Sequence, residues 1–208
     1  MIQPGKINFR NILIAAVGVF FTATGAVFNM CAGLGNDCIG IVYDGIRCFF
    51  GLTQAQLGTA SNIVNITLVI LLLFVGRRYI SVGTLVYFVP YSLYAGIANR
   101  LYEMLAFSDS LGNNILFSVI GCLSLYFGVA TYITVDIGVD PFTGIVLLLT
   151  DKLKKEYRYV KIVFDLLMIA LGWALGGKAG VVTLLTAFTA GPCIQFFHQK
   201  IKKALVRT

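Results

Sequence analysis

The chain has 208 residues, of which 58% are hydrophobic and only 12% charged, and its formal net charge is +7. That is roughly half the charge of an average soluble domain, which sets soluble classes aside, and apolar runs of about 18 or more residues recur, each long enough to cross about 30 Å of hydrocarbon as a helix. The positive charge does not point to nucleic acid: the cations sit in short clusters between apolar runs, where Lys and Arg mark cytoplasmic loops, and no basic face is interleaved with aromatics.

Residues 1–10 form a short basic arm containing Lys6 and Arg10. The apolar run that follows is too long for a signal-peptide core and no clean small-x-small cleavage site succeeds it. Phe28-Asn29-Met30-Cys31 also lacks the small residues of a lipoprotein site. The run is therefore expected to be an uncleaved first helix over residues 11–31. Ala32-Gly33-Leu34-Gly35 ends it, because glycine adopts the backbone conformations of a tight reversal, and Asn36 or Asp37 caps a new helix. Residues 38–50 give that second helix about 13 residues, roughly 20 Å, and it carries Asp44 and Arg47. So short a segment is expected to re-enter or lie at the interface. A third helix is predicted over residues 55–75, ended by Gly76-Arg77-Arg78 with two cations at the negative end of its dipole. A fourth covers 81–102, with Pro90 kinking it. Residues 103–113 are the only polar stretch of length.

A fifth helix is predicted over residues 114–135. Asp136-Ile137-Gly138-Val139-Asp140 then turns, and Pro141 opens a second short helix over 142–150, at the position where proline is tolerated. The basic stretch 151–158 follows, then helices over 159–175 and 180–197.

This order recurs because the sequence does. Shifted by 103 positions, residues 11–37 fall without a gap on residues 114–140. Asn11, Ile12 and Leu13 meet Asn114, Ile115 and Leu116; Gly18 meets Gly121, Gly25 meets Gly128, Gly35 meets Gly138 and Asp37 meets Asp140. Gly176-Gly177 meets Gly76, Thr183 meets Thr84 after one deletion, and Asp165 falls opposite Asn65 at a shift of 100. The expected fold is all-α: one polytopic transmembrane domain, residues 1–208, built from two homologous repeats (about 11–105 and 114–200), each with three long helices and one short helix.

Two topologies follow. If both short helices span, there are eight crossings, the repeats are parallel, and Arg77 and Arg78 lie outside. If both re-enter, there are six crossings and the second repeat is inverted. Lys6, Arg10, Arg77, Arg78, Lys152, Lys154, Lys155, Arg158, Lys200, Lys202, Lys203 and Arg207 then lie inside, and Arg100 and Lys178 outside, near Glu103 and Asp109. The positive-inside rule prefers the second. Both place the N- and C-termini in the cytoplasm.

An inverted repeat with a short, broken helix in each half is a transporter pattern, with half-helix ends and unpaired carbonyls around a central site. Irregular backbone at membrane depth survives only against protein or water, so residues 33–38 and 136–142 are expected to face one another. Asp37 and Asp140 carry two compatible readings: intramembrane acids line a polar path or pair with a cation, and each also caps a short helix. Lys161 and Asp165 are four apart and can pair on one helix face; with Asn62 and Asn65 they form either a structural group near the inner interface or part of a solute path. Asp44 and Arg47 can pair similarly, and the second copy lacks both charges. The path candidates are Asn36, Asp37, Asp140, Pro141, Asn65, Asp165 and Lys161, with Gly33, Gly35 and Gly138 as turn glycines.

Other polar and small residues are assigned to packing. Thr84, Thr183, Ser81, Gln54 and Gln56 are expected to hydrogen-bond between helices or back to carbonyls. Gly18, Gly25, Gly121 and Gly128, spaced by seven within each copy, bring two helices close. The ten tyrosines and Trp173 are read as packing and interfacial belts. Cys31, Cys38, Cys48, Cys122 and Cys193 show no CxxC or metal spacing and are read as small buried hydrophobes. The lone His198 cannot form a metal site, so no metal or cofactor is expected. No nucleophile–base set, Walker loop or HExxH occurs. An intramembrane aspartyl enzyme is a third reading, if Asp37 and Asp140 come close enough to share a proton.

Gly33-Leu34-Gly35, the Gly-Leu-Thr at 51–53, Gly76-Arg77-Arg78 with Gly83-Thr84, Asp136-Ile137-Gly138-Val139-Asp140-Pro141, and Gly176-Gly177, Gly180, Thr183 and Gly191-Pro192 together resemble the YczE/YyaS/YitT group of bacterial integral membrane proteins. The resemblance covers about residues 10–200. It implies a bacterial inner-membrane protein, with transport presumed for the group. In the first copy Asn36-Asp37-Cys38 stands where that group commonly has a small residue, a proline and an aromatic. The function expected is a transporter or channel-like permease for a small solute or ion, its path at the repeat interface. The alternative is a membrane scaffold or accessory subunit. Expected partners are the lipid bilayer, a small molecule or ion, and a membrane partner or second copy; nucleic acid is not among them.

Overall fold

In the computed structural model, which describes residues 8–105 and 110–206, the chain is all-helical. Lys6 of the basic arm, Asp109 and Arg207 lie outside the described residues, as does the side chain of Arg158. Eight α-helices run in order: α1 Phe9–Ala32, α2 Gly40–Phe49, α3 Leu57–Val75, α4 Val82–Leu105, α5 Leu111–Thr134, α6 Pro141–Leu153, α7 Tyr157–Ala174 and α8 Val181–Val206. Single turns of 3-10 helix at Gln54–Gln56 and Arg77–Tyr79 flank α3.

Several ends differ from the sequence expectation for local reasons. The helix α2 starts at Gly40 rather than 38, because Asp37 and Cys38 belong to the turn before it. Ser110 caps α5: its side chain accepts the Asn113 N–H, which starts the helix at Leu111, inside the predicted linker. The α6 helix runs on to Leu153, and Lys154 ends it in the left-handed conformation. Pro90 and Pro192 both sit inside continuous helices.

Among the described residues, four stretches are long and apolar enough to cross a membrane: Phe9–Ala32, Gln54–Val75, Leu111–Thr134 and Val181–Leu205. Their outward faces carry what a soluble protein hides. Phe74, Leu116, Leu184 and Phe188 are all exposed, the pattern of a surface solvated by lipid tails. The protein is a helical membrane protein.

The centre is the contact between α1 and α5, held backbone to backbone by glycine. A Cβ on Gly25 would fall 2.5 Å from the Gly121 carbonyl oxygen, and one on Gly128 would fall 2.6 Å from that of Gly18. Gly18 thus meets Gly128 while Gly25 meets Gly121, so the two helices run antiparallel. Across the same contact the Ser124 hydroxyl donates to the Phe21 carbonyl at 2.8 Å. Further out, α4 packs on α1 and α8 on α5. The short helices cross over: α2 packs on α3 and α7, and α6 packs on α7 and α3. Gly45 of α2 and Gly172 of α7 allow the first crossing, since a Cβ on Gly45 would sit 2.5 Å from the Gly172 carbonyl oxygen.

Gly25→Val is expected to cost about 1–3 kcal/mol or more, as overpacking does in a closed contact. Gly96→Val is the control, because a Cβ there meets nothing within 4 Å. Thermal unfolding in detergent checks this: Gly25→Val melts several degrees lower and Gly96→Val melts close to wild type.

Candidate functional site

Two turns without helical structure, residues 33–39 and 135–140, pack against the helices, with Gly35, Asn36, Val135 and Ile137 buried and Gly33 and Asp136 exposed. In the first, Gly33 ends α1 in the left-handed region at φ 71° and donates its N–H to the Met30 carbonyl at 3.1 Å. Gly35, at φ 114°, lies flat against the start of α8, where a Cβ would fall 2.7 Å from the Gly180 nitrogen. Buried backbone groups need partners, and here α8 supplies them. The Val182 N–H donates to the Leu34 carbonyl at 3.0 Å, and the Asn36 N–H donates to Thr183 Oγ1 at 3.2 Å. Thr183 Oγ1 also accepts the Gly180 N–H at 3.1 Å, capping the first turn of α8.

The second turn is held in the same way by α4. The Gly83 N–H donates to the Ile137 carbonyl at 3.1 Å, and Thr84 Oγ1 donates to the Val139 carbonyl at 2.8 Å while accepting the Ser81 N–H at 3.1 Å. Ile137 and Val139 are the positions that a shift of 103 lays on Leu34 and Asn36. Both pinning threonines had been assigned only to general helix contacts. The geometry makes each the anchor of one turn, with the hydroxyl accepting in one and donating in the other.

The two aspartates are not equivalent. Asp140 is a full N-cap for α6, accepting the Thr143 N–H at 3.0 Å and the Thr143 hydroxyl at 2.5 Å, with Pro141 at the first helical position. Asp37 is a looser cap: its backbone carbonyl accepts the Ile41 N–H at 2.9 Å, although α2 itself begins three residues later. Its Oδ2 accepts the Ile39 N–H at 3.2 Å within the turn. Asp37 Oδ1 and the adjacent Asn36 Oδ1 are buried with no hydrogen-bond partner among the described residues.

Around this turn the other candidates separate into two groups. Lys161 and Asp165 of α7 form the expected ion pair. The Lys161 charge acts on both Asp37 and Cys38. Asn65 instead faces α2, donating from Nδ2 to the Tyr43 hydroxyl at 3.1 Å. Tyr43 opens a buried string of phenols: its ring lies 5.5 Å from Tyr91, Tyr91 lies 5.7 Å from Tyr87, and Tyr87 lies 5.4 Å from Tyr132. Asp37 acts on Tyr43, Tyr87 and Tyr91, and Asp140 acts on Tyr43, Tyr87 and Tyr132. The expectation that the tyrosines are belts and packing missed this, and only the i, i+4 spacing of Tyr87 and Tyr91 hinted at a shared face.

Asp44 and Arg47 do pair, at 2.8 Å, and Asp44 also accepts the Lys178 N–H at 2.8 Å, which ties α2 to the loop before α8. A cavity of about 350 Å³ lies elsewhere, between the turn Arg77–Tyr79 and the end of α6, where Arg78 meets Tyr79 and Asp151. Burial and the Asp151 carboxylate push the Tyr79 hydroxyl above its ordinary pKa, so it stays a neutral donor.

Buried acids, phenols and irregular backbone inside lipid-exposed helices define the class: an integral membrane protein with a polar interior. The chain belongs to the family described as "Family of unknown function (DUF6198)", whose model matches residues 9–199. It is 30% identical over 118 residues to an uncharacterized protein of Haemophilus influenzae, covering 57% of this chain and 53% of that one. It is 27% identical over 147 residues to the "Uncharacterized membrane protein YczE" of Bacillus subtilis, covering 71% of this chain and 66% of that protein. The chain thus spans about half the length of the first relative and 66% of the second; the YczE-like resemblance read from the glycine turns is borne out. No solved structure matches.

Thr183→Ala leaves two buried N–H groups unpaired and is expected to cost about 1–3 kcal/mol. Thr84→Ala is expected to cost a similar amount, and Thr→Ser at either position to restore most of it. Melting temperatures of the four variants in detergent check the assignment.

Proposed function

We propose that this protein is a transporter or channel-like permease for a small solute, with its path at the seam between two inverted repeats. The observation that carries the reading is the pair of unpartnered oxygens on Asn36 and Asp37, buried beside an ion pair inside a membrane protein. Unpaired polar groups are costly there and mark polar paths. In this reading the tyrosine string lines the closed path between that turn and Asp140. Opening it calls for one half to rock against the other.

The inverted arrangement is supported by the antiparallel run of α1 against α5 and by the exchange of turn partners. At 10 and 13 residues, α2 and α6 are about 15–20 Å long, which leaves α1, α3 and α4 to cross in one half and α5, α7 and α8 in the other. The chain ends then share a side, in line with the Arg10 guanidinium donating to the Leu205 carbonyl at 3.4 Å. Arg77, Arg78, Lys152 and Lys200 fall on that side too, which the positive-inside rule makes cytoplasmic. The proposed location is a bacterial inner membrane, with several crossings and both termini inside.

A membrane scaffold or accessory subunit is the second reading, favoured by α8. That helix packs along α5 and scarcely touches α7. A Cβ on its Gly191 would meet nothing within 4 Å, so a partner helix or a second copy has room there.

A ligand-stabilisation screen separates the two, because anything that binds the folded state alone raises Tm by mass action. Wild type is compared with the Asp37→Asn/Asp140→Asn double variant at fixed salt. A small solute that stabilises wild type and not the variant supports the permease. No shift across broad solute classes, with a protein co-purifying, supports the scaffold. The topology has its own test in a cysteine-less background: Arg77→Cys is expected to resist a membrane-impermeant thiol reagent added outside whole cells. Labelling there would overturn the six-crossing arrangement.

A further inference from the structure

The aspartates at positions 37 and 140 occupy matching places in the sequence, yet one is satisfied and the other is open. The difference lies in two neighbours. Thr143 stands where the shift of 103 places Gly40, and Val139 stands where it places Asn36. In the second turn, the Thr143 hydroxyl and N–H occupy both oxygens of Asp140, and Val139 adds no polar atom. In the first turn, Gly40 has no side chain to offer. A Cβ built there would lie 2.7 Å from Asp37 Oδ1 and 3.0 Å from Asn36 Oδ1, so both oxygens converge on the one space that glycine leaves. Neither has a partner among the described residues, and Asn36 is only 1% exposed.

Two acceptor oxygens on one point call for a donor or a positive charge. The charge balance points the same way. Lys161 and Asp165 neutralise each other as an ion pair. The remaining titratable neighbours that Asp37 acts on are phenols and thiols: Tyr43, Tyr87 and Tyr91, with Cys38 in the turn and Cys122 on α5. With the phenols and thiols neutral, an ionised Asp37 would leave this group with one negative charge in excess. An excess charge inside a membrane protein is costly unless it is countered.

We propose that the Asn36–Asp37 turn is a binding site for one singly charged cation, a proton, an alkali-metal ion or ammonium, held between Asp37 Oδ1 and Asn36 Oδ1 over Gly40. The matching turn at Asp140 is the closed version of the same device. The inference deepens the permease reading by giving its path a coupling or conducted cation, and it rests on that reading only for its purpose. Binding is measured without a gradient, so its failure and a failure of the permease reading are separate results.

The test is thermal unfolding of the full chain in detergent, titrated with NaCl, KCl or NH4Cl against N-methyl-D-glucamine chloride at constant ionic strength, at pH 5.5 and pH 8. At 100 times Kd, a bound ion is expected to raise the wild-type Tm by about 5–10 °C, saturably. A metal ion or ammonium gives a salt-specific rise at pH 8 that weakens at pH 5.5 through competition. A proton gives no salt-specific rise, but a rise in Tm between pH 8 and pH 5.5. Asp37→Asn is expected to lose whichever effect wild type shows, and Asp140→Asn to keep it. The Asn36→Val/Gly40→Thr variant, which copies the closed turn, is expected to lose it too and decides the matter if Asp37→Asn does not fold. Absence of both effects in wild type, or their survival in the folded Asp37→Asn or closed-turn variant, overturns the proposal.

Discussion

A backbone reversal buried among helices strips its N–H and C=O groups of water, and each must find a partner. The rest of this structure depends on how that requirement is met. The reversal at 33–39 is pinned by α8, and the one at 135–140 by α4. Each turn is thus held by a helix from the other part of the chain. The partners are a threonine hydroxyl and a backbone amide at a helix start, placed by the loop Arg77–Tyr79 in one case and by the loop before Val181 in the other. Such an exchange needs the two parts to lie close. The glycine contact between α1 and α5 provides that closeness.

Much of this was legible in residue order. The shift that relates 11–37 to 114–140 picked out both turns, both acids and the glycines of the α1–α5 contact. The glycine spacing alone left the direction of that contact open, because a seven-residue spacing defines a helix face but not which way its partner runs; only the cation distribution favoured opposed helices. The threonine anchors were visible only as a match that needed a deletion, and a hydroxyl on a helix has many uses. The phenol string was hidden because Tyr43, the pair Tyr87 and Tyr91, and Tyr132 come from three different helices, and nothing in one dimension gathers them.

The inequality of Asp37 and Asp140 was hidden for a subtler reason. Matching acids invite matching roles, but the role is decided by neighbours one residue before and three residues after. Val139 and Thr143 close one turn, whereas Asn36 and Gly40 leave the other open. In the proposed permease that asymmetry gives the two halves different work: Asp140 fixes the fold of its half, and Asp37 faces the path. The same division appears at the periphery, where α3 packs on α4 but α7 and α8 stand apart.

The central claim is that the two halves are inverted relative to one another, and the α1–α5 pairing tests it most directly. Phe28 of α1 lies against Phe117 of α5, with ring centroids 5.5 Å apart. In parallel repeats Phe28 would instead be level with Thr131, its match at a shift of 103. Paired cysteines in a cysteine-less background, oxidised in native membranes, distinguish the two. The account predicts that Phe28→Cys cross-links with Phe117→Cys and not with Thr131→Cys. Cross-linking of Phe28→Cys to Thr131→Cys, with none to Phe117→Cys, would contradict it.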